Sequence, residues 1–209
     1  MTEITAPEAL SIRDRNKLRI RTKIVEAAMA LVTERGLDGV SPDDIAATAE
    51  VGRATFFRYF DCKEAAVVVG FYEKRLEALV ERLRAAPAEL GPMEAVIHAY
   101  HQLDLSWKKQ AEWIRMQARL GSESPSLKAK AMEYQSQYEE AIAEAISVRY
   151  HKLALQDPRP RLLAATTLAV VRTCIDHWSA SGARGDLPKL VREGLRQLSS
   201  GFAEHDKAG

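Results

Sequence analysis

The sequence has little of several features that would each indicate a particular class of protein. Only two cysteines, Cys62 and Cys174, occur in 209 residues. They are far apart and lie in helix-like segments, so they indicate neither a disulfide framework nor a cysteine-based metal site. No stretch approaches the roughly 18 continuous apolar residues of a membrane span, and no apolar segment follows the first charges as in a signal peptide. We therefore expect a cytoplasmic protein with no membrane partner.

Net charge, strand patterns and phosphate-binding loops are also lacking. The formal net charge is only +1, so the overall balance neither favours nor opposes a nucleic-acid partner. The chain has no alternation of apolar and polar residues typical of strands, no internal repeat, and no glycine-rich phosphate loop or nucleophile motif. These absences predict an all-helical protein that is not an enzyme, and we expect no cofactor and no metal.

The sequence does contain apolar residues at helical spacing over most of its length. This pattern predicts about nine helices, of which the fourth is a rod of roughly 35 Å. The predicted segments are 21–35, 41–49, 53–60, 61–86, two helices within 93–120, then 126–149, 162–178 and 187–202. Ahead of the first helix, six cations and one acid lie between Ser11 and Lys23, which predicts a basic N-terminal arm.

Residues 41–60 have the pattern of a helix-turn-helix. Ser41 is a good N-cap, Pro42 follows where its missing N–H costs nothing, and two acids lie at the positive end of the helix dipole. In a helix-turn-helix the second helix enters the DNA major groove with its first turn and outward face. Candidate contacts to bases or phosphates are Arg53, Ala54, Thr55 and Arg58, and candidate contacts to phosphates are Tyr59 and Lys63. The alternative is a structural helix pair, and we expect Phe56 and Phe60 to be core residues.

At these residues the sequence resembles the TetR family of transcriptional regulators. The resemblance covers roughly residues 22–69. It rests on Glu34-Arg35-Gly36, Ser41-Pro42-Asp43-Asp44-Ile45-Ala46, Val51, Thr55-Phe56-Phe57-Arg58-Tyr59-Phe60 and Lys63-Glu64. The resemblance implies that Ser41 and Lys63 contact phosphates. It also implies that Arg53, Thr55, Phe57, Arg58 and Tyr59 form the DNA-facing surface, with double-stranded operator DNA as the partner.

The sequence departs from the family pattern in the turn. Glu50 and Gly52 stand where the family usually has Gly and a capping Ser, so a left-handed backbone is less comfortable and the cap lacks a side-chain oxygen. Phe57 replaces a common Tyr and so lacks a hydroxyl for a phosphate. Some DNA affinity could therefore come from the basic arm, through the minor groove or the phosphates; the alternative is a solvated tail.

The resemblance implies an all-α architecture with two parts. An N-terminal three-helix DNA-binding domain precedes a C-terminal helical domain for ligand binding and dimerisation. The predicted boundaries are the basic arm at 1–21, the helix-turn-helix domain at 22–65, the C-terminal domain at 66–204 and a tail at 205–209.

The last two helices are similar to those of the subgroup that includes the mycofactocin-associated regulator. In the family these helices pair with their symmetry mates, which implies a homodimer. The candidate apolar face comprises Ala164, Ala165, Leu168, Val171, Cys174, Ile175, Leu187, Leu190, Val191, Leu195 and Leu198. The same face could instead pack inside one monomer.

The middle of the C-terminal part is rich in large side chains, as an apolar ligand pocket would be. The candidate ligand-binding residues are Tyr100, Leu103, Trp107, Trp113, Met116, Gln117, Tyr138 and Trp178. Each could also be ordinary core. The subgroup resemblance implies a long acyl chain, with its coenzyme A thioester as one form, whose charged groups could meet Lys108, Arg115 or Arg119.

Two rival functions remain at this point. His98, His101 and Asp104 could share a helical face and form a metal or acid–base site, although no further ligand accompanies them. The other rival is a DNA-binding dimer that responds to no ligand. We favour a transcriptional regulator, in particular a repressor, that a small apolar effector releases from a palindrome-like operator.

Overall fold

The computed structural model describes residues 11–149 and 157–201, in which all regular secondary structure is helical. This confirms the predicted all-α class, with ten helices in the described residues. They are α1 (Ile12–Arg35), α2 (Pro42–Thr48), α3 (Arg53–Tyr59), α4 (Lys63–Ala85), α5 (Pro92–Gln102), α6 (Asp104–Lys109), α7 (Ala111–Glu123), α8 (Pro125–Ser147), α9 (Arg159–Ala180) and α10 (Leu187–Ser199). None of them is both long and apolar enough to span a membrane.

The chain divides into two compact units, one up to Gly70 and the other from Phe71 onward. The division falls within α4, five residues beyond the boundary predicted from the sequence. In the first unit, α1, α2, α3 and the start of α4 each contribute side chains with no exposed surface, such as Ile24, Ile45, Phe56 and Val67. These buried apolar side chains form the core that stabilises the first unit.

The first helix begins at Ile12 and not at Arg21, so the prediction of a basic arm over 1–21 is wrong for residues 12–21. Ser11 caps the helix, because its hydroxyl accepts the Asp14 backbone N–H at 3.1 Å. Arg and Lys are good helix formers, so the basic stretch continues the helix. The first ten residues of the predicted arm lie outside the described residues, as does the predicted tail at 205–209.

The segment 93–120 forms three helices where two were predicted, and α7 runs on to Glu123. The breaks lie at Leu103 and Gln110, whose ψ angles of −4° and 8° leave the helical range. Their backbone N–H groups bond to carbonyls only two to four residues back, so each helix closes with a tight turn. Gly121 does not end α7; Ser124 does, by capping α8 through the Leu127 N–H at 3.2 Å.

The second unit is built around α9 and α10. α9 packs against α7, α8 and α10, and α10 also packs against α5 and α6. The C-terminal end of α4 is held by Arg149, whose guanidinium donates to the carbonyls of Leu83, Ala86, Pro87 and Leu90. A helix end has carbonyls without helical partners, and one arginine satisfies several of them here.

Candidate functional site

The helix-turn-helix predicted from residues 41–60 is present as α2 and α3, which pack against each other and against α1 or α4. Ser41 and Asp44 form a reciprocal cap at the start of α2: the Ser41 hydroxyl accepts the Asp44 N–H, and the Asp44 carboxylate accepts the Ser41 N–H. Hydrogen bonds from the Ser41 side chain and backbone lower the pKa of Asp44. Phe56 and Phe60 are buried as predicted, so α3 is anchored by its inner face.

The turn between α2 and α3 shows both departures noted in the sequence. Glu50 has φ = 56°, a left-handed conformation that is unfavourable for a residue with a Cβ. Its carboxylate pairs with Lys23 of α1 at 3.1 Å. Gly52 is the N-cap of α3 and supplies no side-chain bond. The family turn is therefore kept at some cost in local stability.

The outward face of α3 presents the predicted DNA-facing residues together. Arg53, Ala54, Phe57 and Arg58 are exposed, while Thr55 and Tyr59 are half-buried at the edges of this face. Phe57 is 41% exposed, and its ring meets the Phe56 ring edge to face at 5.2 Å. An exposed face of two cations, an aromatic ring and small side chains is suited to contact with bases and phosphates.

Aromatic rings position both arginines on α3. The Arg53 guanidinium lies 5.1 Å from the centre of the Phe57 ring, and it also pairs with Asp43 of α2. The Arg58 guanidinium lies 5.5 Å from the Tyr59 ring centre. Stacking restricts these long side chains, so less conformational freedom is lost when they bind a partner.

Two further predicted contacts already have partners within the protein. The Lys63 ammonium donates to the carbonyls of Leu37 at 2.8 Å and Val40 at 2.9 Å. Lys63 thus fastens the loop between α1 and α2, and one of its three donors remains for a phosphate. Ser41 caps α2, as described above. Both residues have a structural role besides the one that the resemblance implies.

The start of α1 adds a second basic surface next in sequence to this motif. Arg13, Arg15, Lys17, Arg19 and Lys23 are exposed. The Arg21 guanidinium instead lies 5.7 Å from the Phe60 ring centre. The cations predicted to lie on an arm are therefore displayed along a rigid helix, and they keep their capacity to contact phosphates.

Five of the eight predicted ligand-binding residues are buried in the second unit. They are Tyr100, Leu103, Trp107, Tyr138 and Trp178. Met116 and Gln117 are half-buried. Trp113 is 41% exposed, with its ring edge on Phe71 at a centroid distance of 6.4 Å. The burial agrees equally with a pocket lining and with ordinary core, so the ligand role stays a prediction.

The structure adds two residues to this group that sequence reasoning missed, Tyr72 and Arg75 of α4. Arg75 donates to the Gln117 side-chain oxygen, and its guanidinium lies 5.4 Å from the Tyr72 ring centre. The Tyr72 and Tyr138 rings meet edge to face at 5.4 Å. The signal was present in the sequence, because Arg75 follows Tyr72 by three positions and precedes Leu79 by four on the apolar stripe of α4.

Burial shifts the pKa of every titratable group in this cluster. It raises the pKa of Tyr72, Tyr100 and Tyr138, and the nearby Arg75 cation offsets part of each shift. Burial also lowers the pKa of Arg75, against the electrostatic effect of the same three tyrosines. Arg75 is half-buried among these rings, and burial is the main cause of its lowered pKa.

Two of the three charged side chains proposed from the sequence, Lys108 and Arg115, have partners at the surface. Lys108 pairs with Asp186 at 2.9 Å, and Arg115 pairs with Glu112 and stacks on Trp178. A polar surface pocket of about 270 Å³ lies beside this point. It is lined by His177, Trp178, Ser181, Arg184, Gly185, Asp186, Lys189, Leu190 and Glu193.

The rival metal site is not assembled in the part of the chain that the structure describes. Asp104 pairs with Arg192 of α10, and His101 lies 3.4 Å from the same carboxylate oxygen. Within residues 11–149 and 157–201, no three His, Cys, Asp or Glu side chains are placed to hold a metal ion. Asp104 instead ties the start of α6 to α10.

The apolar face predicted for dimerisation is divided between the core of one chain and its surface. Six of its residues are buried within the monomer, so the prediction that they face a second copy is wrong for them. They are Ala164, Val171, Cys174, Leu187, Val191 and Leu195. The reason is that α9 and α10 also cover α5–α8. Ala165, Leu168, Ile175, Leu190 and Leu198 remain only half-buried, and Leu162 is 59% exposed.

A helix-turn-helix with an exposed second helix is the arrangement with which many DNA-binding proteins enter the major groove. Residues 24–67 match the family described as bacterial regulatory proteins, tetR family. Residues 90–203 match the MftR C-terminal domain and cover more than half of the chain. The protein therefore belongs to the TetR family of DNA-binding transcriptional regulators, and its second unit is the ligand-binding domain of such a regulator.

The chain is similar to named regulators over nearly its whole length. It is 27% identical to the protein assigned as the mycofactocin biosynthesis transcriptional regulator MftR of Mycobacterium tuberculosis, covering 84% of this chain and 91% of that one. It is 26% identical to the HTH-type transcriptional regulator TcmR of Streptomyces glaucescens, covering 83% and 79%. Among solved structures it is similar to FadR of Thermus thermophilus, a TetR-family repressor in complex with lauroyl-CoA. That similarity has a TM-score of 0.64, 26% identity, and coverage of 90% of this chain and 99% of the other.

Proposed function

We propose that this protein is a repressor that binds a palindrome-like operator as a homodimer and releases it when a small apolar effector binds. The observation that carries the proposal is the exposed face of α3, where Arg53 and Arg58 flank Phe57. Two such helices about one DNA turn apart would enter successive major grooves. The basic surface at the start of α1 would add contacts to phosphates that do not depend on sequence.

The half-buried apolar residues of α9 and α10 support a dimer through these helices. Leu162, Leu168 and Leu198 leave apolar surface on the outside of the second unit. A second copy that packs the same face against them would form a four-helix bundle with two-fold symmetry.

The effector that we propose contains a long acyl chain. Similarity to FadR of Thermus thermophilus, whose structure holds lauroyl-CoA, supports this class. The aromatic and aliphatic side chains within the second unit suit an apolar chain. Because α4 belongs to both units, an effector that contacts it can favour one separation of the recognition helices over another. Typical coupling of this kind is about 1–3 kcal/mol.

A fluorescence-anisotropy titration against the intergenic DNA beside the protein's own gene tests the proposal. It is run at two salt concentrations, with lauroyl-CoA, with laurate and with neither. We expect tight, salt-sensitive binding that a twelve-carbon acyl ligand weakens. Binding that both ligands leave unchanged would contradict the effector class and favour a DNA-binding dimer that responds to no ligand. No binding to any promoter fragment would contradict the repressor.

Two variants distinguish sequence-specific binding to the operator from affinity for any DNA. Arg58→Ala should weaken specific binding by about 1–3 kcal/mol and leave binding to unrelated DNA nearly unchanged. Lys17→Ala, on the basic surface of α1, should weaken binding to all DNA slightly and reduce its salt dependence. Lys128→Ala, an exposed cation on α8, is the matched control and should change neither. Equal losses in the first two variants would refute the assignment of roles.

A further inference from the structure

Arg75 is a half-buried cation for which the described residues provide no carboxylate. Its guanidinium donates to the neutral side chain of Gln117 and stacks on the Tyr72 ring. The groups that act on it electrostatically are Tyr72, Tyr100 and Tyr138, all neutral at physiological pH. A guanidinium has five N–H donors, and only one is used in this set of contacts. Cations away from water are normally paired with an anion.

The nearest acids do not fill this role. Glu73 acts on Tyr138, and Asp176 acts on Tyr72, but neither is among the groups that influence Arg75. Desolvation is the dominant influence on Arg75 itself and lowers its pKa. Among the described residues, the groups that compensate the charge of this side chain are ring faces and an amide oxygen.

Tyr138 provides a second, independent observation at the same place. Its side chain is 8% exposed, and its hydroxyl has no hydrogen-bond partner among the described residues. A buried hydroxyl without a partner costs about 1–3 kcal/mol. The hydroxyl and the guanidinium are both donors, and both belong to the cluster in which Tyr72 and Tyr138 are in contact. One acceptor at this place would satisfy the buried Tyr138 hydroxyl and use donors that Arg75 leaves free of protein partners.

We propose that Arg75 and Tyr138 bind the carboxylate of the effector, so that the effector is an acyl-type monoanion and not a neutral molecule. A single carboxylate neutralises a single guanidinium and accepts two of its donors side by side. A phosphate would bring about two negative charges against one cation and leave an uncompensated charge among the tyrosine rings. This inference rests on the proposed function, because it assumes that the second unit binds an effector.

Because Arg75 lies on α4, an anion bound there would act on the helix that also belongs to the DNA-binding unit. Arg75 lies twelve residues after Lys63 on α4, about 18 Å along the helix axis. Gln117 of α7 and Tyr138 of α8 are the partners that the anion would hold together with α4. An effector that draws these three helices together would bind one arrangement of α4 better than another, which is the requirement for a switch.

Calorimetric titration with three ten-carbon probes tests the proposal without DNA. The probes are decanoate, its neutral analogue 1-decanol, and decanoyl-CoA. We expect decanoate to bind at least about tenfold more tightly than 1-decanol. Arg75→Met should remove that preference. Tyr138→Phe should weaken decanoate binding severalfold and leave 1-decanol unchanged. Lys74→Met removes an exposed cation on the same helix and, as the matched control, should behave as the wild type.

Thermal melting shows whether each variant is folded. Tyr138→Phe removes an unpaired hydroxyl and should melt no lower than the wild type, so it remains informative even if Arg75→Met does not fold. Equal affinity for decanoate and 1-decanol in the wild type would overturn the proposal. So would decanoate binding that survives in both variants, tighter binding of decanoyl-CoA that is indifferent to Arg75, or no binding of any probe.

Operator binding by the same proteins separates this inference from the proposed function. Arg75→Met without probe should bind operator like the wild type, and decanoate should release the wild type but not the variant. If the wild type binds no operator yet shows an Arg75-dependent preference for decanoate, the proposed function fails and the carboxylate site stands. If the wild type binds operator but shows no preference for decanoate, the carboxylate site is refuted and the proposed function stands.

Discussion

Replacing Arg149 by Met should destabilise the second unit, because this side chain closes the C-terminal end of α4. Its guanidinium donates to Ala86 at 2.6 Å, to Pro87 at 2.7 Å and to Leu83 at 3.1 Å, with a longer contact to Leu90 at 3.4 Å. Three of these bonds have good geometry, and each joins a charged donor to a carbonyl at the negative end of the helix.

The change in the free energy of unfolding is estimated from the hydrogen bonds that Arg149→Met removes and the buried Nε that it eliminates. Hydrogen bonds to a charged group contribute about 1.5–3 kcal/mol, but water can replace some of them at this half-buried position. The Arg149 Nε is buried without a partner among the described residues, and its removal in the variant offsets part of the loss. We expect the free energy of unfolding to fall by about 2 kcal/mol. With an m-value of about 2 kcal/mol/M, the urea midpoint should fall by about 1 M.

Urea unfolding followed by circular dichroism measures this effect, and two further variants assign its cause. Arg149→Lys keeps the charge but has a compact ammonium that reaches fewer carbonyls, so it should recover only part of the stability. Arg84→Met removes an exposed cation from the last turn of α4 and should cost no more than the about 0.3–1 kcal/mol of the helix dipole. A midpoint for Arg149→Met that matches Arg84→Met would refute the reasoning, because charge near the helix end would then explain everything.

Two further predictions concern the helix-turn-helix. Glu50→Gly should be more stable than Glu50→Ala by about 1 kcal/mol in urea unfolding, because both lose the exposed ion pair with Lys23 but only Gly adopts φ = 56° without strain; equal midpoints would mean that the turn relaxes. In Asp44→Asn, the free energy of unfolding should fall less steeply with decreasing pH than in the wild type. The pKa of Asp44 is lowered from its ordinary 3.8 by Ser41, so its contribution is complete above that value and disappears as pH falls through the folded pKa. Identical acid profiles of variant and wild type would contradict this.

The sequence predicted the helix-turn-helix well because its determinants are local. Ser41 caps α2, Glu50 carries the left-handed turn, and Phe56 and Phe60 face inward, and each of these follows from residues a few positions away. The all-helical class followed in the same way from apolar spacing. The basic stretch was misjudged because a run of cations has no apolar face, and its helix depends on the Ser11 cap and on the helical propensity of Arg and Lys.

Features that depend on contacts between distant segments could not be predicted from local sequence patterns. The sequence places Arg75 on the apolar stripe of α4, but its hydrogen bond to Gln117 of α7 depends on how the two helices pack. The apolar residues of α9 and α10 predicted that this face is buried but not whether one chain or a second copy covers it. In the structure, Val191 and Leu195 belong to the core of one chain.

By itself, therefore, the sequence determined the helices, the reading face of α3 and the family, since hydrogen bonding within a helix, capping and amphipathic spacing act over a few residues. Only the tertiary structure decided which polar groups are left without a partner. Arg75 and Tyr138 are 63 residues apart in sequence and are buried to different degrees by the packing of their helices. Burial of polar groups is a property of the packed chain that no local pattern encodes.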